Sequence, residues 1–404
     1  MSTIEGLLRR PFVAVAGIGI ALALALWQVA FAPIVDLDVC RAGGEAWLAG
    51  RGLFDAEFPP RPLAYPLPFI YPPISAVLFS GFTLLSLQAL GYLMTAATVL
   101  AMLAACVVTA RRCGLDRAAG LGLGAAVCAV MVYAEPVRST VDLGQVNVLL
   151  MTLVVLDCLM PRTPWPRGLL IGIAAGIKLT PLIFVLYFLA SGRARVAVTI
   201  VATFAGSVVL GFLLDARNSL QYWGSTVFKL DTMVGTGFVT NQSIRGVLAR
   251  FGLDKAASFP FWAIGVVLVL AATWFTVRRL LSTGAELQAM LVIATASLLC
   301  SPISWSNHWV WVAVAGTGLA AALVRAPRWG LLAPGLVVAV FFVGPHAHVP
   351  GGGREETWTL GQWFVGNAFF LTAVTALAVL AVRAARSRTT AVASAAPRYA
   401  ELSS

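Results

Sequence analysis

Long apolar stretches punctuated by short basic segments set the pattern of this chain, and that pattern predicts a bundle of membrane-spanning helices. Candidate spans are 11–32, 88–110, 119–134, 146–160, 169–178, 181–190, 196–214, 261–280, 285–300, 309–325, 329–344 and 363–383. A straight span needs about 20 apolar residues. Several of these runs are shorter, so they are expected to tilt, to extend into polar flanks or to pair as broken half-helices. The first run follows Arg9-Arg10 and ends in Ala30-Phe31-Ala32, as a secretory signal does. At 22 residues it exceeds the roughly 7–15 of a signal's apolar core and reads as a retained first helix.

The arginines orient the bundle. Arg9-Arg10, Arg111-Arg112 with Arg117, Arg162 with Arg167, Arg193 with Arg195, Arg278-Arg279, Arg325 with Arg328, and Arg383, Arg386 and Arg388 all fall on one side of the alternating spans. That side is expected to be cytoplasmic, with both termini. The opposite face then receives 33–71, 135–145, 215–260, 301–308 and 345–362. The apolar run from Tyr71 to Leu87 would reverse every later loop if it crossed the membrane, so it reads as an interfacial or re-entrant helix. No internal or inverted repeat is visible, and the Ser/Ala/Arg-rich tail beyond Arg383 reads as disordered. The expected fold is all-α: a polytopic transmembrane protein of about twelve spans, with interfacial helices in its outer loops.

Composition agrees. The chain has 404 residues, 59% hydrophobic and 11% charged, with a mean hydropathy of +0.88, against roughly 25% charged in soluble domains. A net charge of +11 would suggest nucleic acid in a soluble protein, but here the basic residues mark span ends, so no nucleic-acid partner is expected. Cys40, Cys106, Cys113, Cys128, Cys158 and Cys300 form no CxxC pair and read as small buried hydrophobes. Twelve of the 17 carboxylates lie in the outer loops: Asp36, Asp38, Glu45, Asp55, Glu57, Glu135, Asp142, Asp215, Asp231, Asp254, Glu355 and Glu356. Such a face suits a channel or an enzyme working outside.

The candidate chemistry sits there. Val35-Asp36-Leu37-Asp38 opens the first outer loop, where a carboxylate at the lipid surface can meet a substrate with a lipid tail; the two acids alone are also a partial divalent-cation site. Tyr71-Pro72-Pro73 follows, then Gly144-Gln145-Val146-Asn147 at the outer end of a span. Gly176-Ile177-Lys178-Leu179-Thr180-Pro181 breaks an apolar run, and an intramembrane lysine is a functional candidate against the alternative of snorkelling to the interface. If that break faces outward, Lys178 can neutralise a phosphate. Thr240-Asn241-Gln242-Ser243-Ile244-Arg245 lies in the largest outer loop. Ser301-Pro302-Ile303-Ser304-Trp305-Ser306-Asn307-His308-Trp309 opens a late span, and His346 with His348 supplies too few ligands for a metal.

In this order, the series resembles the C-type glycosyltransferases. It is most similar to glycosyltransferase family 87, the polyprenol-phosphate-mannose-dependent α-1,2-mannosyltransferases of mycobacteria and relatives. The resemblance implies the C-type fold: a seven-span module over 1–214 with its active site in the first outer loop, the large outer loop 215–260, a five-span variable module over 261–383, and the tail 384–404. It further implies an inverting transfer from polyprenyl-phosphate-mannose to a phosphatidylinositol mannoside, at the outer face of the plasma membrane. Asp36 would be the base and His308 its assistant, or the holder of the departing phosphate if protonated. Lys178, Arg245, Asn241, Gln242, Gln145, Asn147, Tyr71, Asp38 and Trp305 are the expected substrate-binding residues, with no metal and no cofactor. The family usually has a tyrosine where this chain has Cys40. The alternatives are arabinofuranosyl transfer from the matching donor, a lipomannan or lipoarabinomannan acceptor, and, from another class, a lipid transporter or flippase.

Overall fold

A computed structural model describes residues 3–253, 255–325 and 329–394. Asp254, Arg328 and the last ten residues of the expected tail lie outside the described residues. The molecule is mainly helical, and among the described residues the one β feature is an isolated antiparallel bridge between Asn241 and Trp305.

The labelled helices are α1 (Pro11–Val29), α2 (Val35–Leu48), α3 (Pro73–Phe79), α4 (Leu87–Arg112), α5 (Arg117–Met131), α6 (Glu135–Leu143), α7 (Asn147–Leu159), α8 (Leu169–Ile177), α9 (Val185–Ala190), α10 (Ala194–Leu214), α11 (Lys255–Ser282), α12 (Glu286–Cys300), α13 (Val312–Arg325), α14 (Leu332–Val343) and α15 (Ala368–Ser394). Helix α15 runs on into the segment expected to be a disordered tail.

Length sorts these helices into two kinds. Five are long and apolar enough to cross a membrane: α1, α4, α10, α11 and the Ala368–Arg386 part of α15. They carry large exposed apolar side chains such as Leu213, Val267 and Leu268, as lipid contact requires. Helices α5 and α6 qualify together as a sixth span, bent by 72°. The other expected spans are helices too short to cross straight. Helix α7, for example, has 13 residues, or about 20 Å at 1.5 Å per residue, against about 30 Å of hydrocarbon. The twelve apolar runs therefore yield five full-length spans among the described residues, or six with the bent pair. Segment 135–145, expected as a loop, is mostly helix α6.

Small residues set the packing. The buried positions of α1 are Ala14, Gly17, Ala21, Ala25 and Val29, a small-residue stripe that lets helix backbones meet. A Cβ on Gly17 would lie 2.7 Å from the Ala125 carbonyl carbon of α5. Basic helix ends gather on one face: Arg9 pairs with Asp116 at 2.6 Å, Arg112 with Glu286 at 2.6 Å, and Arg325 donates to the Cys113 carbonyl at 2.6 Å. The opposite ends of the helices carry the acid-bearing loops. Segment α3, extended by a turn of 3-10 helix over Ser80–Leu84, packs against α2 and is too short to span.

Candidate active site

Helix α2 begins with a sharp turn. Ile34 sits in the left-handed region at φ 38°, an unusual conformation for a β-branched residue, and its N–H is tied to the Asp142 carbonyl of α6 at 2.9 Å. This directs the first turn of α2 towards the α6–α7 elbow. Gly144 at the elbow has φ 71°, and a Cβ there would run into the Leu37 side chain. Only glycine meets both demands without strain.

Asp36 and Asp38, two residues apart, point about 200° apart around the helix axis, and they meet different partners. Asp36 Oδ2 accepts from Gln145 Nε2 at 2.7 Å, and Gln145 Oε1 accepts from Tyr71 Oη at 3.0 Å. Asp38 instead pairs with Arg61, whose Nε also reaches Glu45 at 2.8 Å. Burial pushes the Asp36 carboxyl above the usual aspartate range, opposed by the Gln145 hydrogen bond and by the Lys178 charge. That environment suits a carboxylate that must take up a proton.

Lys178 lies at the break after α8. Helix α8 and the pair formed by the 3-10 turn Thr180–Phe184 and α9 both pack on α10, and Lys178 between them is extended, at φ −148° and ψ 126°. Its Nζ donates to Asn147 Oδ1 at 2.9 Å and lies 3.0 Å from His308 Nε2, 5.8 Å from the Tyr71 ring centre. The ammonium is the donor, so His308 Nε2 accepts. Burial and the nearby Lys178 charge hold the imidazole well below its usual pKa, so His308 is neutral and the cation at this spot is Lys178. The turn Ser306–His308 is pinned through the Asn307 carbonyl, which accepts from Asn147 Nδ2 at 2.9 Å and Thr140 Oγ1 at 3.1 Å. A cavity of about 40 Å³ touches Asn147, Lys178, Thr180, Ser297, His308 and Trp311, room for a water.

The structure thus joins Asp36, Tyr71, Gln145, Asn147, Lys178 and His308 in one cluster. It does not bring the remaining expected residues there. Arg245 donates to Ser258 Oγ at 2.8 Å and to the Lys255 carbonyl at 3.2 Å, bracing the start of α11. Asn241 bonds the Thr236 and Pro302 carbonyls and accepts from Ser304 N. Gln242 bonds Ser304, Val239 and Gly366. Trp305 joins this second assembly through its backbone bridge to Asn241. Sequence reading missed Arg250 and Asn367, which complete the assembly: all three guanidinium nitrogens of Arg250 donate, to Asn367 Oδ1 and to the Gly237, Phe238 and Asn241 carbonyls. No motif spacing marked them. His346 is buried beside Glu135, 3.5 Å from its Oε1, and among the described residues no three potential ligands gather for a metal.

Acid, lysine and histidine thus gather near the ends of the short apolar helices α7 and α8. The model of glycosyltransferase family 87 matches residues 69–302. The chain is 38% identical over 310 residues to a polyprenol-phosphate-mannose-dependent α-(1-2)-phosphatidylinositol mannoside mannosyltransferase of Mycobacterium tuberculosis, covering 73% of this chain and 72% of the relative. It is 36% identical over 371 residues to the Mycolicibacterium smegmatis protein of the same name, covering 86% and 83%. A phosphatidylinositol pentamannoside mannosyltransferase of M. smegmatis is 32% identical over 283 residues, covering 70% and 68%. No solved structure matches. The molecule is a multi-pass membrane glycosyltransferase. The chain belongs to glycosyltransferase family 87.

Proposed function

We propose that this enzyme moves mannose from polyprenyl-phosphate-mannose to a mannose hydroxyl of a phosphatidylinositol mannoside, with inversion to an α-1,2 link. The observation that carries this reading is the placement of Asp36 on Gln145 in one cluster with the Lys178–His308 pair. The donor and acceptor are those in the names of the most similar relatives. Asp36 takes the proton from the acceptor hydroxyl as its oxygen attacks the anomeric carbon, and the bond from that carbon to the phosphate oxygen breaks on the far side. The departing polyprenyl phosphate is already a good leaving group and needs charge neutralisation more than a proton. Lys178 supplies that charge. Neutral His308 accepts from Lys178 and aims it, in place of either role the resemblance implied for it, assisting the base or, if protonated, holding the phosphate.

The surroundings suit a lipid donor. A largely apolar groove of about 1040 Å³ runs along α12, α13, α14 and α15, and Leu298 and Trp311 wall both it and the small cavity at Lys178. A polyprenyl tail fits its chemistry. We further propose the C-type architecture of seven plus five membrane segments, with the short helices completed by tilt and polar flanks. The site then faces the outside of the plasma membrane, and the termini and arginines lie in the cytoplasm.

The test is an assay of the purified enzyme in lipid with polyprenyl-phosphate-mannose and either a short phosphatidylinositol mannoside or the pentamannoside. An α-1,2-linked product from one acceptor supports the reading and names the acceptor. Transfer only from polyprenyl-phosphate-arabinose changes the sugar, and no transfer from either donor overturns the proposal.

A further inference from the structure

Behind the Ser306–His308 turn lies a buried pair that the proposed chemistry does not use. Glu135 is the first residue of α6, at the 72° bend from α5. It is 5% exposed and His346 is 1% exposed. Glu135 Oε1 accepts from Ser306 Oγ at 2.8 Å, and His346 Nε2 approaches the same oxygen at 3.5 Å. The second carboxylate oxygen and His346 Nδ1 are buried, with no partner among the described residues. The His346 ring leans on Phe369 with centroids 4.7 Å apart. Burying a carboxylate with one full hydrogen bond is costly, and a packed apolar pair would hold two loops at less cost. What the carboxylate adds is direction: it fixes the Ser306 hydroxyl, two residues before His308.

The neighbouring contacts show what that direction is for. Residues 135–147 form one continuous elbow, and each part of it holds a piece of the cluster. Glu135 holds Ser306, Thr140 and Asn147 hold the Asn307 carbonyl, Gln145 holds Asp36, and Asn147 also holds Lys178. The elbow thereby sets the spacing between the acid on one side and the lysine–histidine pair on the other.

We propose that Glu135 is a positioning residue for His308, acting through Ser306, with His346 backing its carboxylate from the loop before α15. The inference rests on the reading of His308 as part of the reaction centre. It is tested by measuring kcat and the donor KM for Glu135→Ala, Glu135→Gln and Ser306→Ala, each in the native chain and in a His308→Ala background. A misplacement of about 1 Å within a reaction centre costs on the order of 10²-fold in rate, so Glu135→Ala, which loosens the histidine that aims Lys178, is expected to lower kcat by up to about that factor with little change in KM. Glu135→Gln keeps an acceptor for Ser306 and restores most of the rate. Ser306→Ala breaks the same bond without emptying the Glu135 site, and covers the case in which Glu135→Ala fails to fold. In the His308→Ala background, neither alanine substitution lowers kcat further. Equal losses in both backgrounds overturn the inference while leaving the reading of His308 intact. Full activity in His308→Ala alone overturns that reading, and the inference with it.

Discussion

Two buried polar assemblies face the same loops of this enzyme, and they differ in how completely their groups are matched. In the first, Asn241, Gln242, Arg250 and Asn367 stitch the 215–260 loop to the Ser301–Trp305 strip and to the start of α15. Asn241 uses both ends of its amide, and every nitrogen of the Arg250 guanidinium donates. In the second, half-buried Asp36 takes its hydrogen bond on Oδ2, from Gln145, while the Lys178 ammonium meets Asn147 and His308. A saturated network rigidifies and has nothing left to offer a substrate. A network that holds a carboxylate of raised pKa near a buried cation keeps capacity for a proton and an anion. We read the first as a latch and the second as the reaction centre, although both contain residues from the motif series.

The sharpest way to break that division is at the acids. Removing the base is expected to lower turnover by about 10²–10⁴-fold, so Asp36→Asn should nearly abolish transfer while its remaining amide oxygen still accepts from Gln145 and the fold persists. Asp38→Asn, which removes the charge facing Arg61 while Glu45 still holds it, should only reduce transfer. Product formation per folded molecule checks both, and full turnover in Asp36→Asn sinks the role of the cluster.

A smaller effect of a different kind is expected at the latch. Asn241→Ala leaves the Ser304 N–H without the Asn241 oxygen and takes one donor from each of the Thr236 and Pro302 carbonyls, the latter still held by Ser243 Oγ, a loss of about 1–3 kcal/mol. Thermal unfolding in detergent should show that loss, while turnover per folded molecule stays within a few-fold of the native enzyme. A collapse of turnover without a loss of stability would move Asn241 into the reaction centre.

The contrast also explains what the sequence made legible. Apolar runs located nearly every helix of the bundle, because burial in lipid leaves no other way to satisfy a backbone. They did not show helix length, since a run records apolar length and not whether a helix stops early around a site, as α7, α8 and α12 do. The 135–145 stretch read as a loop because Glu135, Arg138 and Asp142 break the apolar pattern, yet it forms the elbow that organises the cluster. Lys178 was legible as a charge interrupting an apolar run. Choosing Asp36 over Asp38 needed the resemblance at the level of sequence; in three dimensions Gln145 and Arg61 distinguish them. Arg245 and Asn241 stood out for one reason: conspicuous polar residues in a membrane protein mark either a site or a latch, and we read these two as structural from the partners they meet.

The most direct test of the division is the acid limb of the pH–rate profile in kcat/KM, which reports the base of the free enzyme. With its pKa raised, Asp36 is ionised and active above that value, and the rate falls as pH drops through it, so the limb should lie above the range of an ordinary aspartate. Gln145 and Lys178 both pull this pKa down. Gln145→Leu and Lys178→Met should therefore each move the limb to higher pH, while Asn241→Ala should leave it in place. A limb that ignores Gln145 and Lys178, or that shifts equally in Asn241→Ala, would contradict the assignment of Asp36 as the base and of the latch as structure alone.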